Sequence, residues 1–468
     1  MTDQEEILLS PSRRTFNDRT ACVLVWLAWA GMLTLLLWSY IPVSSRVPMA
    51  EDWYTVPLLT GQPVGLPAWL WEQNNEHRMP VARLLLLGVL HIAGADYRAG
   101  GLLNLALLAG GAAGLILFVR HLRGGITDPA DAFFPLTLLH FGHSVDVLFP
   151  FQITFLLSLG LILTAGCTLF LPTSAGSPRA AAVAGGALLL LPLSGFIGLL
   201  FVPGLAAYLF YAGWCCWAAR PGWPHSRAVG AWLMTASAGA ILLGGVYFIG
   251  YEHPWWNPPN PGPVASLKVV LQVLSLGFGA APYFWWAPAV VGAMLFLGAS
   301  CWEALRRIRS AGPCRGLAIG AALFLANAIA FTAAAGWGRA GYAPEIGIPL
   351  RYVSLALPAF VAGYLTWVVS ESRLALGVRR TLALILVILL PVNTIAGHRL
   401  FADWYHEGMT TLQADIHRGV PIDELAVRHN RFLVHWWTPE ELARHLRMLH
   451  EAGVPPFDRA VTRPTPTP

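Results

Sequence analysis

The chain has 468 residues, of which 56% are hydrophobic and only 12% are charged. Soluble domains carry about 25% charged residues, so charge this sparse over this length excludes one large soluble core and indicates many apolar spans in a lipid bilayer. The net charge is +5, but no basic stripe with interleaved aromatic residues lies on a soluble domain, and we expect no nucleic-acid partner.

The first apolar segment, 21–42, is long enough to cross roughly 30 Å of hydrocarbon. Arg13, Arg14 and Arg19 precede it, and SYIPVSSRVP follows it where a cleaved signal would have small residues. We therefore predict an uncleaved anchor with its N-terminus in the cytoplasm.

The rest of the chain repeats this pattern, so the predicted fold is all-α, a polytopic membrane protein with about eleven transmembrane helices. After the first, the predicted spans are 100–119, 131–142, 150–171, 181–197, 199–218, 229–250, 284–304, 315–335, 350–370 and 380–397. The segments 80–93 and 265–280 are apolar but short, and we expect them in the outer interface or partly embedded.

Arginine and cysteine both support this topology. The predicted inner loops hold most of the arginines, as the positive-inside rule requires; they include Arg120, Arg123, Arg179, Arg220, Arg306, Arg307, Arg379 and Arg380. The cysteines fall at cytoplasmic ends of spans or in an inner loop, where thiols stay reduced, and no disulfide is predicted; they are Cys22, Cys167, Cys215, Cys216, Cys301 and Cys314.

Two regions outside the spans complete the organisation. The first outer loop, 43–99, is expected to carry interfacial helices. Residues 398–468 are polar and form a predicted small extracytoplasmic helical tail, in which Thr438 begins a helix as a capping box and Gly453 ends it. The last residues, TRPTPTP, are expected to be disordered.

The pair Glu51–Asp52 lies directly outside the first span and is followed by Trp53 and Tyr54. On a short helix the two carboxylates point in different directions, so one can face a site while the other caps the helix. A positioned carboxylate is a general base, and the competing interpretation is an interfacial helix cap alone.

Two further clusters follow on the outer side. Glu76, His77 and Arg78 come after a polar QNN run and offer donors to an anionic ligand, whereas Arg83 is equally well explained by snorkelling to the interface. His143 and Asp146, ahead of Gln152, share one helix face at i and i+3; either they cap a helix locally or they face the first cluster.

The fourth cluster is GWGRAGYAPEIGIPLRY, 336–352. Its formal GxGxxG has no βαβ context, so we reject a dinucleotide site. The candidate site residues left in this loop are Arg339, Arg351 and Tyr352. Arginine is well suited to bind a phosphate through two donors. The alternative interpretation is a flexible loop with an interfacial arginine. The aromatic loops 251–256 and 283–286 are compatible with a sugar surface or with an aromatic belt.

The order of these features resembles the membrane-embedded C-type (GT-C) glycosyltransferases. In that superfamily a first span leads to an outer acidic residue, a partly embedded helix, a span ending in a basic loop, and a second outer acidic motif. The matching stretches are EDW, RMPVARLLLLGVLHIAG, RHLRGG and His143 to Asp146, over about the first 170 residues. The NEHR segment also resembles uncharacterised bacterial polytopic membrane proteins.

The resemblance implies a GT-C-like module over 1–397 that moves a sugar from a polyprenyl-phosphate donor to an acceptor on the outer face of a bacterial inner membrane. It would be an inverting hexosyl- or pentosyltransferase. Asp52 is the first candidate for the base, Glu51 the second, and Asp146 orients the acceptor. The expected phosphate-binding residues are His77, Arg78, His143, Arg339 and Arg351. The expected substrate-binding residues are Trp53, Tyr54, Glu76, Gln152 and Tyr352.

Several alternatives stay open. A polysaccharide polymerase or ligase would use the same lipid-linked substrates, and a transporter or flippase would need ionisable residues near the bilayer midplane. A divalent cation, Mg²⁺ or Mn²⁺, held by Asp52 and Asp146 is a further expectation. The sugar, the acceptor and the oligomeric state are not readable from the sequence.

Overall fold

A computed structural model of the chain describes residues 18–170, 177–221, 223–310, 315–342, 349–370 and 372–461. Within these ranges the regular structure is helical, with two isolated bridges and no strand. The predicted all-α fold is therefore confirmed. Arg13, Arg14, Cys314 and the TRPTPTP end lie outside the described residues.

The long helices follow one another with short connections. In chain order they are α1 (Asp18–Tyr40), α2 (Pro80–Ile92), α3 (Arg98–Leu122), α4 (Ile153–Thr168), α5 (Pro178–Leu190), α6 (Phe196–Trp217), α7 (Arg227–Tyr247), α8 (Pro263–Ser275), α9 (Trp286–Arg309), α10 (Arg315–Arg339), α11 (Val353–Val368), α12 (Arg373–Gly397), α13 (Asp403–His417), α14 (Ile422–Leu433) and α15 (Pro439–Glu451). Short helical turns cover Ala50–Thr55, Val56–Leu59, Leu66–Trp71, Leu191–Leu193, Leu276–Phe278, Ala281–Tyr283, Leu350–Tyr352 and Phe457–Arg459.

Among the described residues, 8 helices are long and apolar enough to cross a membrane. The polytopic prediction is confirmed, but the count of about eleven is not. Two predicted spans correspond to shorter helices, α5 with 13 residues and α11 with 16 residues. As expected, α2 and α8 are short apolar helices.

The predicted span 131–142 is not a continuous helix. Residues 129–152 form five short turns instead, Pro129–Ala132, Phe133–Leu138, Phe141–His143, Ser144–Leu148 and Pro150–Gln152, and nearly all of their side chains are buried. Pro129, Pro135 and Pro150 lack the N–H group that a continuous helix requires. Asn104 on α3 donates hydrogen bonds to the carbonyls of Asp146 at 2.8 Å and Pro150 at 3.2 Å. Irregular backbone at membrane depth is tolerated when it is enclosed and satisfied in this way.

The helix ends meet in two groups. We call the group formed by the N-terminal end of α1, the C-terminal end of α3 and the N-terminal end of α12 the opposite end. Its charges pair with one another: Arg120–Asp18 at 3.8 Å, Arg123–Asp131 at 2.6 Å and Arg379–Asp128 at 3.2 Å. The other group is the site end, where the first loop, residues 144–152, α7, α10, α11 and the tail meet.

Helix α11 lies at the centre of the bundle. Every one of its 16 residues is buried. The sequence VSLALPAFVAGYLTWV carries small residues on several faces, so α9, α10 and α12 all pack against it. Because the helix is enclosed, the turn before it, Leu350–Tyr352, holds Arg351 in a defined position at the site end.

The tail is a direct continuation of the last span. A π-turn, His398–Ala402, joins α12 to α13, so the expected boundary at 397–398 falls inside one run of helix. Thr438 caps α15 by accepting a hydrogen bond from the N–H of Glu441 at 3.3 Å, and Gly453 follows its end with φ of 67°. The tail folds back through α14 and α15 against the first outer loop.

Candidate active site

Glu51 and Asp52 lie in the short 3-10 helix Ala50–Thr55 beyond α1. Successive residues of such a helix point about 120° apart, so the two carboxylates face different surroundings. Asp52 is fully buried: one oxygen accepts a hydrogen bond from the backbone N–H of Met49 at 3.2 Å, and the other accepts one from Phe151 at 2.9 Å. Glu51 lies instead on the wall of a cavity.

Burial raises the pKa of both carboxyl groups, but different neighbours oppose the rise in each. Burial raises the pKa of Asp52 well above its usual range, against the effect of its two backbone N–H donors. Burial also raises the pKa of Glu51, and Arg351 and His435 counteract that rise. The sequence ranks Asp52 before Glu51 as a base. The geometry favours the reverse order, because backbone N–H groups engage both Asp52 oxygens and Asp52 does not line the cavity.

The polar run before α2 forms a tight turn. Asn74 and His77 exchange two backbone hydrogen bonds of 2.8 and 2.9 Å, and Asn75 between them has φ of 50°. Asparagine adopts this left-handed conformation more readily than most residues. The turn directs Glu76 and His77 toward the cavity.

Glu76 is held by two partners that come from distant parts of the chain. One carboxylate oxygen lies 3.1 Å from a guanidinium nitrogen of Arg339, and the other accepts a hydrogen bond from Asn257 at 3.0 Å. Tyr342 in turn bonds to the Asn257 amide oxygen. Burial opposes ionisation of Glu76, but Arg339, His77 and Asn257 together hold its pKa below the usual value. Glu76 and Arg339 are therefore an ion pair at the cavity wall.

His77 is a neutral hydrogen-bonding residue at physiological pH. Burial lowers its pKa to about 4, with Glu76 opposing this shift and Arg339 and Arg351 adding to it. Its Nδ1 accepts a hydrogen bond from the backbone N–H of Phe196 at 3.2 Å. The ring proton is thus assigned to Nε2, which can donate to a ligand.

Arg78 connects two loops and does not line the cavity. The hydroxyl of Tyr247 donates to the carbonyl of Glu76 at 2.6 Å and accepts from the N–H of Arg78 at 3.1 Å. The Arg78 guanidinium donates to the carbonyls of Trp71 at 2.9 Å and Gly250 at 2.8 Å. Backbone carbonyl oxygens thus engage both terminal guanidinium nitrogens of Arg78, and its expected contact with a phosphate stays a prediction. Arg83, with its guanidinium on the Trp69 and Glu72 carbonyls, is likewise structural.

Arg351 differs from these arginines. It lies on the cavity wall, which they do not, and within the described ranges its guanidinium forms no ion pair. Glu51 and Asp146 are near enough to interact with it electrostatically. The Gln152 side-chain oxygen on the same wall is buried and unpartnered. This wall therefore offers one guanidinium and one amide to a polar ligand.

His143 and Asp146 form the contact that their spacing predicts. Nδ1 of His143 lies 3.1 Å from a carboxylate oxygen of Asp146, both side chains are fully buried, and Nε2 of His143 lies 3.2 Å from the Thr137 carbonyl. Neither residue lines the cavity. Asp146 lies beside the turn that carries Arg351, so it can affect a ligand only through that arginine.

The cavity has a volume of about 360 Å³. It brings together seven residues that the sequence indicates: Glu51, Glu76, His77, Gln152, Arg339, Arg351 and Tyr352. Trp256, from an aromatic loop, also contributes to the wall. The polar residues missed in the sequence are Thr154, Asn257, Tyr342 and His435. Of these, His435 begins the HWW run between two tail helices, and that run is the sequence feature that could have indicated it.

Trp53 and Tyr54 bind the tail and do not line the cavity. The Trp53 ring is fully buried, with its centroid 6.5 Å from that of Trp437 and 6.3 Å from that of Phe457. The indole N–H of Trp436 donates to the Tyr54 hydroxyl at 3.2 Å. The two residues expected to contact substrate therefore anchor the tail.

The acidic residues do not fit a divalent cation. In the part of the chain that the structure describes, no group of three or more His, Cys, Asp or Glu side chains could hold a metal ion. Asp52 has both oxygens on backbone N–H groups, and Asp146 has one on His143. No chemical step below depends on a cation.

No protein-family model and no curated protein matches the sequence. Among solved structures, the overall helical arrangement is similar to that of ArnT from Cupriavidus metallidurans in the apo state, with 16% identity, a TM-score of 0.46, and coverage of 94% of this chain and 76% of that one. ArnT bound to undecaprenyl phosphate matches with 15% identity and a TM-score of 0.44, over 93% and 76% of the two chains. At this level of similarity no residue role passes from those structures to this chain.

Proposed function

We propose that this protein is a membrane glycosyltransferase that takes a sugar from a polyprenyl-phosphate donor and transfers it, with inversion, to a hydroxyl acceptor. The observation that carries the proposal is the composition of the cavity. Glu51, a carboxylate on the cavity wall, faces the same space as Arg351, an arginine that has no ion pair among the described residues. That combination suits a base and a developing phosphate anion.

In the proposed reaction Glu51 removes the proton from the acceptor hydroxyl as its oxygen attacks the anomeric carbon. The bond between that carbon and the phosphate oxygen breaks, and its electron pair stays on the lipid phosphate. Arg351 stabilises the phosphate charge as it develops. The Glu76–Arg339 pair and the Nε2–H of His77 lie on the same cavity wall and supply further donors.

The other surfaces of the cavity fit the remaining parts of such a donor. Trp256, Tyr342 and Tyr352 give aromatic faces on which a pyranose or furanose ring can pack. Val269, on α8, lines the cavity, while Val264 and Leu267 on the same helix are 82% and 58% exposed. An apolar helix that reaches the cavity and also faces lipid offers a path for the polyprenyl chain.

The charge distribution supports this activity over transport. The cavity groups lie where helices end and loops begin, in the segments 51, 74–79, 339–352 and 435. A transporter would place such residues near the bilayer midplane, often on interrupted helices. A polymerase or ligase would share the cavity chemistry and differ in its acceptor.

We further propose that the site end faces outward across a bacterial inner membrane, with the N-terminus in the cytoplasm. The arginine-rich loops of the opposite end support this orientation by the positive-inside rule. Single cysteines introduced at residues 120–130 should react only with membrane-permeant reagents, and those at 72–75 and 417–419 also with impermeant ones. Labelling of the 120–130 loop from outside would overturn the orientation.

Donor recognition can be tested by direct binding. Undecaprenyl phosphate should bind to the purified protein, and Arg351→Ala should lower the affinity by about tenfold or more, equivalent to roughly 1.4 kcal/mol. Arg309→Ala, an exposed arginine at the opposite end of α9, is the matched control and should bind normally. Equal affinity in both variants would remove Arg351 from the phosphate site.

A further inference from the structure

The tail is rigidly built around the loop that carries His435. Asp415 on α13 accepts from His429 on α14 at 2.9 Å, and the N–H of Ile422 donates to the carbonyl of Val461 at 2.9 Å. The loop itself is closed by Asn430, whose side chain donates to the Trp437 carbonyl at 3.0 Å. The position of the loop relative to the tail helices is therefore well determined.

The same loop is docked on the turn that presents Glu51. Trp437 packs within 5.6 Å of the Tyr54 ring centroid and 6.5 Å of the Trp53 centroid, in addition to the bond between Trp436 and Tyr54. Trp53 and Tyr54 lie two and three residues after Glu51 in the same short helix. Docking of the tail and orientation of Glu51 thus involve one short helical turn.

His435 lies at the cavity, next to these anchors. Its flanking residue Val434 is buried, whereas His435 is exposed and lines the cavity together with Glu51. The charged side chains that share the cavity with it are Glu51, Glu76, Arg339 and Arg351. Arg339 and Glu76 already pair with each other, and Arg351 cannot accept a proton, so Glu51 is the group with which an imidazole can exchange one.

We propose that the tail completes the active site and that His435 is a positioning residue for Glu51, exchanging a proton with its carboxylate and carrying that proton to solvent. This inference rests on the proposed function. The proton leaves the acceptor hydroxyl for Glu51, passes from Glu51 to an imidazole nitrogen, and passes from the imidazole to water. No other bond changes in these steps, and Glu51 is again ionised for the next transfer.

The test measures turnover of a labelled polyprenyl-phosphate sugar by His435→Ala and His435→Gln, with His417→Ala as the matched control on an exposed tail histidine. Both His435 variants should be slower by about 10²-fold, the lower limit for general acid–base groups, with unchanged affinity for undecaprenyl phosphate. Added imidazole should restore part of the turnover of His435→Ala, because His435 is exposed and a small molecule can reach the space that it leaves. His417→Ala should match wild type.

Tail docking is followed separately by trypsin digestion of the tail arginines. His435→Ala should be as resistant as wild type, whereas Trp437→Ala should be cleaved faster. The inference is overturned by wild-type turnover in His435→Ala, by recovery in His435→Gln, by a loss that imidazole does not reduce, or by a loss that comes with faster cleavage. An inactive wild-type protein would overturn the proposed function itself, which is a distinguishable result.

Discussion

The two ends of the helix bundle use charged residues in opposite ways. At the opposite end, Asp131 is fully buried and takes both a bidentate contact from Arg123, at 2.6 and 3.0 Å, and a hydrogen bond from Tyr364 at 2.9 Å. At the site end, Arg351 and Glu51 face a cavity, and Arg351 has no ion-pair partner among the described residues. Charges that satisfy one another hold helices together, whereas charges left facing a cavity are available to a ligand.

The cost of each arrangement follows from burial. A buried charge without a partner is strongly destabilising, so a fold keeps one only where solvent or a ligand can reach it. The opposite end has closed its ion pairs, and we expect its substitutions to change stability. At the site end a carboxylate and a guanidinium face the cavity, and we expect substitutions there to change turnover and binding. The predictions below test this division.

The largest expected effect is on turnover. Glu51→Gln keeps the shape of the side chain but cannot take a proton, and loss of a general base typically lowers the rate by about 10²–10⁴-fold. Undecaprenyl phosphate binding and thermal unfolding in detergent should stay close to wild type. A Glu51→Gln protein that transfers sugar at the wild-type rate would remove this residue from the chemistry.

The opposite end should respond in stability. Asp131→Asn leaves the Arg123 guanidinium without a counter-charge, and breaking such a pair costs about 3–5 kcal/mol. We expect a clearly lower unfolding temperature and normal turnover per folded molecule. Asp423→Asn, which breaks an exposed ion pair with Arg447, is the control and should leave stability unchanged. Loss of turnover in a folded Asp131→Asn protein would contradict the division.

A substitution of Asp52 tests the same division between stability and turnover within the site end. Asp52→Asn replaces one of the two oxygens that accept from backbone N–H groups by an NH₂ donor, and a buried N–H left without its acceptor costs about 1–3 kcal/mol. We expect lower stability, with folded protein that still transfers sugar. If Asp52→Asn instead abolishes turnover without loss of stability while Glu51→Gln remains active, Asp52 is the base and the two roles are exchanged.

Arg351→Lys is expected to be milder than removal of the side chain. Lysine keeps the charge but loses the planar fork that binds phosphate through two donors. The affinity for undecaprenyl phosphate should fall by about three- to fivefold, or roughly 0.7–1 kcal/mol, measured by titration in detergent. Unchanged affinity would mean that Arg351 acts as a point charge only.

The last prediction is a pH dependence of stability at the site end. The unfolded chain protonates His77 near pH 6.5, but the folded chain does so only near pH 4, because burial lowers its pKa to about 4. The unfolded state therefore binds more protons in this window, and the free energy of unfolding falls as the pH decreases from 6.5 to 4. His77→Gln should flatten that fall, and the exposed His417→Gln should not. Identical pH profiles for wild type and His77→Gln would contradict this account.

The sequence predicts the site in parts. The NNEH turn, the two arginines of the fourth cluster and Gln152 all reach the cavity, since each follows or precedes an apolar helix at the same end. Arg78 and Trp53 stand next to the cavity residues in the sequence, but Arg78 binds backbone carbonyls and Trp53 packs against the tail. The local sequence cannot separate residues that reach the cavity from residues that bind elsewhere in the fold. It does not show which backbone carbonyl or aromatic ring a given side chain will contact.

His435 is the clearest residue that local reasoning misses. It lies 384 positions beyond Glu51 along the chain (435 minus 51) and reaches the cavity only because the tail folds back onto Trp53 and Tyr54. The incorrect prediction of a continuous span at 131–142 has a similar cause. Its apolar residues indicate a helix, but the prolines break it, and only the surrounding helices make the broken backbone acceptable.

What the sequence by itself determined are the properties that depend on near neighbours. These are the apolar helices that suit a membrane, the i and i+3 contact of His143 with Asp146, and the Thr438 cap. What only the tertiary structure decided is which carboxylate of Glu51–Asp52 is available. The backbone N–H of Phe151, 99 residues away, occupies Asp52, and Glu51 is left to face the cavity. A hydrogen bond between such distant residues depends on how the helices pack, and no local pattern encodes it.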